Sequence, residues 1–395
     1  MLRGTPFHSR TSVLCEAQNW RRWSGYIVAG SYELTHEREY WAIRSSAALF
    51  DVSPLFKYDI TGPDAGRLLD RVLTREVTKC KVGQVMYTPW CDEDGKVIDD
   101  GTVWRLDDRV FRLTSADPNI RWLHQNGFGL DVRIEDVSDA IATLSLQGPL
   151  SREILKQVVS VDLDGLKYFR LTSGLLRNIP VTITRTGYTG DLGYEVWIDA
   201  RHAEPLWDTL MEAGRPYQIT PAGMLALDLA RIEAGLLLIE VDYVSAHKAV
   251  VESRKSSPYE LGLGWTVSPD KAPFVGQKAL RAEKGRGSTW QFVGIEVEWE
   301  SLEQLHAAEG LPPQLPAVAW RTSIPIYSNG RQVGYATSGC WSPLLKKYIA
   351  LAHLESPYAN PGTRLMMEVT VEHKRRQAAA RVVKIPFFDP ERKRA

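Results

Sequence analysis

Residues 185–199, RTGYTGDLGYEVWID, restrict the fold more than any other stretch of the chain. Gly187, Gly190 and Gly193 recur every three residues, and glycine takes the positive φ values that tight turns require. The run then changes to strict alternation, with Tyr194, Val196 and Ile198 set against Glu195, Trp197 and Asp199. Such alternation predicts a half-buried strand. Glu195 is thereby placed on the face opposite its apolar neighbours, on a strand led in by a glycine-rich loop. Two readings stand at this point. A solvated strand face is the ordinary place for a glutamate. A carboxylate held by a rigid loop also suits the edge of a planar, amidine-like heterocycle, from which it accepts two parallel hydrogen bonds.

A strand over residues 56–61 is followed by Gly62-Pro63 and a helix over 64–72; a strand over 141–146 is followed by Gly148-Pro149 and a helix over 151–159. Strand, Gly-Pro, helix occurring twice points to two related α+β units. Between them, strands over 85–90 and 97–105 flank the turn Asp92-Glu93-Asp94-Gly95, and a third covers 110–114. Asp99 and Asp100 are adjacent in the second strand, so they point to opposite faces and only one of them can look into a cleft. Taken alone, each reads as a surface hairpin acid.

Residues 1–50 read as an aromatic-rich loop followed by a helix over 31–50, with Tyr26 and Tyr32 as core or pocket-lining rings and His36 on the helix surface. A further helix over 221–238 carries Leu225, Leu229 and Ile232 on one face, with Arg231 near its end. The polar stretch 245–258 reads as a connector, after which Pro and Gly are frequent. Strand-like runs at 292–297, 332–337, 349–353 and 365–371 predict an all-β C-terminal region.

With 395 residues, each of two or three domains has enough chain for its own core. The 48 basic and 48 acidic residues cancel, so no global field recruits nucleic acid or an anionic membrane. Four separated cysteines without a CxxC pair argue against a zinc site and a disulfide framework, and the eight histidines form no HxxxH pair, so no metal is expected. The N-terminal stretch lacks the apolar core of a signal peptide and no run is long enough to span a membrane, so the cytoplasm is the expected location.

Residues 185–199 resemble the signature of the glycine-cleavage T-protein family of folate-dependent one-carbon transferases. Further stretches resemble that family in the same order: FDVSPL from Phe50, GKVIDDGTV from Gly95, LSLQGP from Leu144, LDLARIEAG from Leu227 and TSGCWSPLLKKYIALA from Thr337. The resemblance implies an α+β, three-domain cloverleaf around a central folate site. Its parts would be a first α+β lobe (residues 1–51 with 139–245), a second, related α+β lobe (52–138) and a C-terminal all-β, jelly-roll or barrel-like domain (246–395). No GxGxxG precedes a helix, so the flavin domain fused to some relatives is not expected.

The same resemblance implies tetrahydrofolate as cofactor and assigns roles around it. Glu195 would grip the pterin ring, Asp100 would be the catalytic acid residue beside the reacting nitrogens, and Arg231 would lie next to the folate. Tyr87 and Tyr188 match aromatic family positions, with Trp265 as a further wall. A plain helix salt bridge from Arg231 to Asp228 remains the competing reading of that arginine.

On the donor side the sequence departs from the family. Where the glycine-cleavage enzyme reads YGQDMD after its RLEAG helix, residues 239–244 read IEVDYV and keep only Asp242. Ser115 stands in place of an Asn, and Pro54 in place of a His. Retained folate residues with altered donor residues lead to the expectation of a demethylase, moving a methyl group from a small methylated N-, S- or O-donor to N5 of tetrahydrofolate. Tyr243, His247 and Ser115 are the candidate donor-side residues. The alternative is the glycine-cleavage aminomethyltransferase itself, with a lipoyl carrier protein as partner. A third reading, a non-enzymatic folate-binding protein, would bring a KGC-type cysteine near residues 239–243, and none is present.

Overall fold

The computed structural model describes residues 2–395. The chain forms a six-stranded sheet, a five-stranded sheet, a three-stranded sheet near the N-terminus and a closed six-stranded barrel. In the larger sheet the strand order is Leu171–Leu176, Ile179–Thr184, Gly193–Asp199, Ile141–Gln147, Ala48–Asp51, Thr220–Pro221. In the five-stranded sheet it is Gln84–Cys91, Val97–Asp107, Val110–Ser115, Phe56–Thr61, Arg133–Asp136.

The repeated strand, Gly-Pro, helix unit is present at both places and has a shared backbone cause. Gly62 and Gly148 have φ of +120° and +128°. A Cβ on either would meet a backbone carbonyl oxygen, Asp131 O at 2.7 Å or Ser46 O at 2.6 Å. Only glycine fits such a corner. In each sheet the strand before the corner is interior, paired antiparallel on both sides.

The helix expected over residues 31–50 is shorter, Glu37–Ser45, and the chain then enters the strand Ala48–Asp51. The apolar run Ala47–Phe50 continues the helical spacing, so periodicity alone carries the helix too far. His36 is buried at the start of this helix rather than on its surface. The helix Met224–Glu233 is likewise shorter than expected and is buried on every side from Leu225 to Glu233, a core helix rather than a one-faced one. It lies between the helix Glu37–Ser45 and the barrel strand Arg331–Ser342.

The barrel contains the four expected strand regions and two more, Ile324–Ser328 and Lys374–Val383. Charged residues attach it to the rest of the chain. Glu233 accepts hydrogen bonds from Tyr40 and from Ser342 of the barrel, both 2.5 Å, and pairs with Arg44 at 2.6 Å. Asp191 pairs with Arg44 at 3.3 Å and with Arg392 at 2.7 Å. Buried charges of this kind are tolerated only when each is paired and hydrogen-bonded. Among the described residues no helix is long and apolar enough to cross a membrane.

Candidate active site

The two sheets touch through Val85, Trp104 and Trp197. Trp197 shares a strand face with Glu195, and Val85 shares one with Tyr87. Glu195 and Tyr87 thus each lie two residues along the strand from the contact that joins the sheets. The apolar residues Tyr194, Val196 and Ile198 go the other way, into the core of the larger sheet.

Glu195 is half-buried. Its Oε2 accepts the hydroxyls of Thr186 at 2.6 Å and Thr184 at 3.3 Å. Among the described residues no donor reaches Oε1, and no cation pairs with the carboxylate. Burial pushes its pKa up, against the two threonine hydrogen bonds. Oε2 is thus held by the two threonines, while Oε1 is left without a partner. The glycine loop is held by Gln147, whose side chain occupies the space a Cβ at Gly187 or Gly193 would need. Gln147 donates to the Thr186 carbonyl at 3.2 Å and accepts from Thr189 at 2.8 Å.

Asp99 and Asp100 separate as the strand geometry requires. Asp99 is fully buried and accepts from the Asp117 amide at 3.0 Å and Asn119 Nδ2 at 2.8 Å, which fixes the turn after Ser115. Asp100 is half-buried, and both of its oxygens take tyrosine hydroxyls. Tyr87 donates to Oδ2 at 2.8 Å and Tyr243 donates to Oδ1. Burial raises the Asp100 pKa, while the two tyrosine hydrogen bonds favour the ionised form.

Arg231 is buried in an ion cluster, pairing with Asp228 at 2.9 Å and Asp242 at 2.5 Å. The salt bridge to Asp228 is therefore present, with a second acid added. Burial works against the guanidinium charge, but the two carboxylates more than offset it and raise its pKa. Its Nη2 is buried without a partner. Tyr188 is half-buried, and its hydroxyl donates to the Leu237 carbonyl in the turn after the same helix. Trp265 is 64% exposed and stacks on Tyr87 with ring centroids 6.2 Å apart. It is therefore an exposed ring beside Tyr87 rather than a buried one.

Of the donor-side candidates, only Tyr243 reaches Asp100. Ser115 is buried, and its hydroxyl is spent on the Asp117 carbonyl at 2.7 Å. His247 is exposed and lies edge-on to Trp122 at 5.1 Å, since the connector turns outward after Ala246. Sequence reasoning missed Thr184, which depends on strand register, Thr186, which lies in the loop after that strand, and the part played by Asp242. That aspartate also accepts from Thr337 and Ser338 of the barrel at 2.5 and 2.8 Å.

The GCVT N-terminal domain matches residues 7–271, and the glycine cleavage T-protein C-terminal barrel domain matches residues 310–389. The aminomethyltransferase of Halothermothrix orenii is 36% identical over 354 residues, 89% of this chain and 90% of that protein. The aminomethyltransferase of Bacillus pumilus is 34% identical over 395 residues, 98% of this chain and 99% of that protein. The crystal structure of glycine cleavage system aminomethyltransferase T from Bartonella henselae superposes with a TM-score of 0.83 at 23% identity, covering 98% and 99% of the two chains, which shows the shared fold. With both family domains matched and relatives aligned along nearly its whole length, the chain belongs to the glycine cleavage T-protein family of tetrahydrofolate-dependent one-carbon transferases.

Proposed function

We propose that this enzyme transfers an aminomethyl-derived one-carbon unit from a lipoyl carrier protein to tetrahydrofolate, with Asp100 as the catalytic residue. Relatives bearing the name aminomethyltransferase over about nine-tenths of both lengths support the donor. The observation that carries the mechanism is the Asp100 carboxylate, half-buried at the cleft and held by two tyrosine hydroxyls.

Bound tetrahydrofolate supplies the nucleophilic nitrogens that accept the one-carbon unit. Glu195 Oε1 takes the donor edge of the pterin while Thr184 and Thr186 keep the carboxylate from turning. Tyr87 and Tyr188 bound the ring. Asp100, ionised, stabilises positive charge developing beside it, and a fixed carboxylate in a half-buried site does so more strongly than solvent. Tyr87 and Tyr243 fix its two oxygens, so little reorganisation is needed during the reaction. Alignment of donor carbon and acceptor nitrogen accounts for the rest of the rate; such positioning is worth roughly 7–11 kcal/mol.

A second reading, methyl transfer from a small methylated donor, is favoured by one observation. The residue that caps Asp100 is Tyr243, in the stretch 239–244 where only Asp242 keeps the glycine-cleavage pattern. Incubation of the enzyme with tetrahydrofolate and either aminomethyl-lipoyl carrier or a pool of methylated amines, sulfonium compounds and methoxy-aromatics separates the two. A 5,10-methylene product and ammonia from the carrier support the proposal. A 5-methyl product from the pool, with no turnover of the carrier, would replace it by the second reading.

A further inference from the structure

A cavity of about 190 Å³ lies where the helices Glu37–Ser45 and Met224–Glu233 meet the barrel. Its lining includes Glu37 and Tyr40 of the first helix, His36 just before that helix, Leu229 of the second helix, and Trp341 of the barrel strand Arg331–Ser342. The irregular stretch 315–317 completes the wall. None of these residues belongs to the set placed around Glu195 or Asp100, and the proposed reaction uses none of them. An apolar cavity of about 150 Å³ already admits benzene, so this one has room for a single substituted ring.

His36 distinguishes the cavity from a packing gap. It is 4% exposed and lines the cavity, and among the described residues neither of its ring nitrogens has a hydrogen-bond partner. Buried polar groups ordinarily find one. Burial holds its pKa below the usual histidine value, against the raising effect of Glu37. The ring is therefore neutral at neutral pH, and one of its nitrogens is an acceptor.

Charge and aromatic surface define the class of ligand. Glu37 is an exposed carboxylate whose pKa the Thr35 hydroxyl holds down. No lysine or arginine of the described residues lines the cavity, and Arg44, 5.9 Å from the Tyr40 ring centroid, is neutralised by Glu233 and Asp191. The positive end of the helix would attract an anion, but its first turn already carries Glu37 and Glu39. Tyr40 donates its hydroxyl to Glu233 at 2.5 Å, so its ring is what it offers the cavity. Trp341 supplies a second ring, braced against Trp299 with centroids 5.3 Å apart. Aromatic rings beside a carboxylate attract organic cations. We propose that this cavity binds a small organic ammonium ion with an apolar body. The ammonium donates to His36 and Glu37, and its charge is set against the rings of Tyr40 and Trp341.

The test is calorimetry of the full chain with three probes of similar shape and different charge: benzylamine, benzyl alcohol and benzoate. Benzylamine is expected to bind most tightly and benzoate least. Ala317→Trp, a change at an exposed position of the wall, should fill the cavity and abolish benzylamine binding without lowering Tm. Glu37→Gln should weaken benzylamine about threefold and leave benzyl alcohol unchanged. Trp341→Leu should weaken benzylamine about fivefold and benzyl alcohol less. Saturating tetrahydrofolate should leave the benzylamine affinity as it is.

Benzoate binding as tightly as benzylamine would overturn the proposal, since the helix end would then outweigh Glu37. Benzylamine binding that survives Ala317→Trp, or that tetrahydrofolate displaces, would overturn it by placing the probe elsewhere. Equal weakening of all three probes by Glu37→Gln would make that residue structural and would overturn the charge selection. A chain that binds none of the three at millimolar concentration has no such site.

Discussion

The indole of Trp104 meets that of Trp197 edge to face, with centroids 4.5 Å apart and planes at 84°. One ring comes from each sheet, and both are buried. This pair, with Val85, is the apolar seam between the two sheets. Trp197→Ala is expected to cost about 3–5 kcal/mol in urea unfolding. A double-mutant cycle with Trp104→Ala should give a coupling of about 0.5–1.5 kcal/mol. Additive losses would show that the rings do not act as a pair.

Asp100→Asn keeps the size of the side chain and removes its charge. Turnover is expected to fall by about 100- to 1,000-fold, with folate affinity little changed. Since burial raises the Asp100 pKa and the proposed role needs the ionised form, activity should fall with decreasing pH on a limb above the ordinary aspartate range. The Tyr243 hydrogen bond lowers that pKa, so Tyr243→Phe should move the limb to higher pH. A limb that stays in place in Tyr243→Phe would separate Tyr243 from the charge of Asp100.

Lys57 is fully buried and donates to the carbonyls of Ser53 at 2.7 Å and Leu55 at 2.8 Å. Burial, opposed by nearby Asp51, lowers its pKa from 10.5 to about 7. Between those values the unfolded chain binds the extra proton, so this residue makes stability rise as pH rises across the interval. Unfolding free energies in urea at about pH 7 and pH 9 should differ in that direction, and Lys57→Met should flatten the difference. A slope identical in the variant would assign it to other groups.

Asp242 accepts from Arg231, the Leu238 amide, Thr337 and Ser338, and its carbonyl takes the ring nitrogen of His353 at 2.6 Å. Asp242→Asn leaves Arg231 with Asp228 alone. The expected cost is about 3–5 kcal/mol, read as a lowered Tm. A variant as stable as wild type would mean that Asp228, already shared with Arg321 at 2.7 Å, balances the guanidinium by itself.

The parts of this fold legible in the sequence are those governed by local rules. The glycine loop and alternating strand at residues 185–199, the hairpin before Gly95, the opposite faces of Asp99 and Asp100, and both Gly-Pro corners follow from backbone geometry. Other features depend on distant contacts. The strand Ala48–Asp51 exists because Ile141–Gln147 pairs with it, although its residues suit the preceding helix equally well. Lys374–Val383 begins with charged, exposed residues yet pairs along its length with Arg364–Val371. His247 looked usable from its place in the chain next to Tyr243, but the backbone turns it to the surface. Thr184 faces Glu195 only through the register of two neighbouring strands.

Asp242 and Tyr243 are consecutive residues with different obligations. The first is anchored to the barrel through Thr337 and Ser338, and the second holds Asp100 of the smaller sheet. One peptide unit therefore couples the seating of the barrel to the alignment of the Asp100 carboxylate. Inserting one residue just before Asp242 would put a charge where the phenol is needed, and deleting one would put the phenol where the charge is needed. The phase of this dipeptide relative to the helix Met224–Glu233 is therefore fixed from both directions.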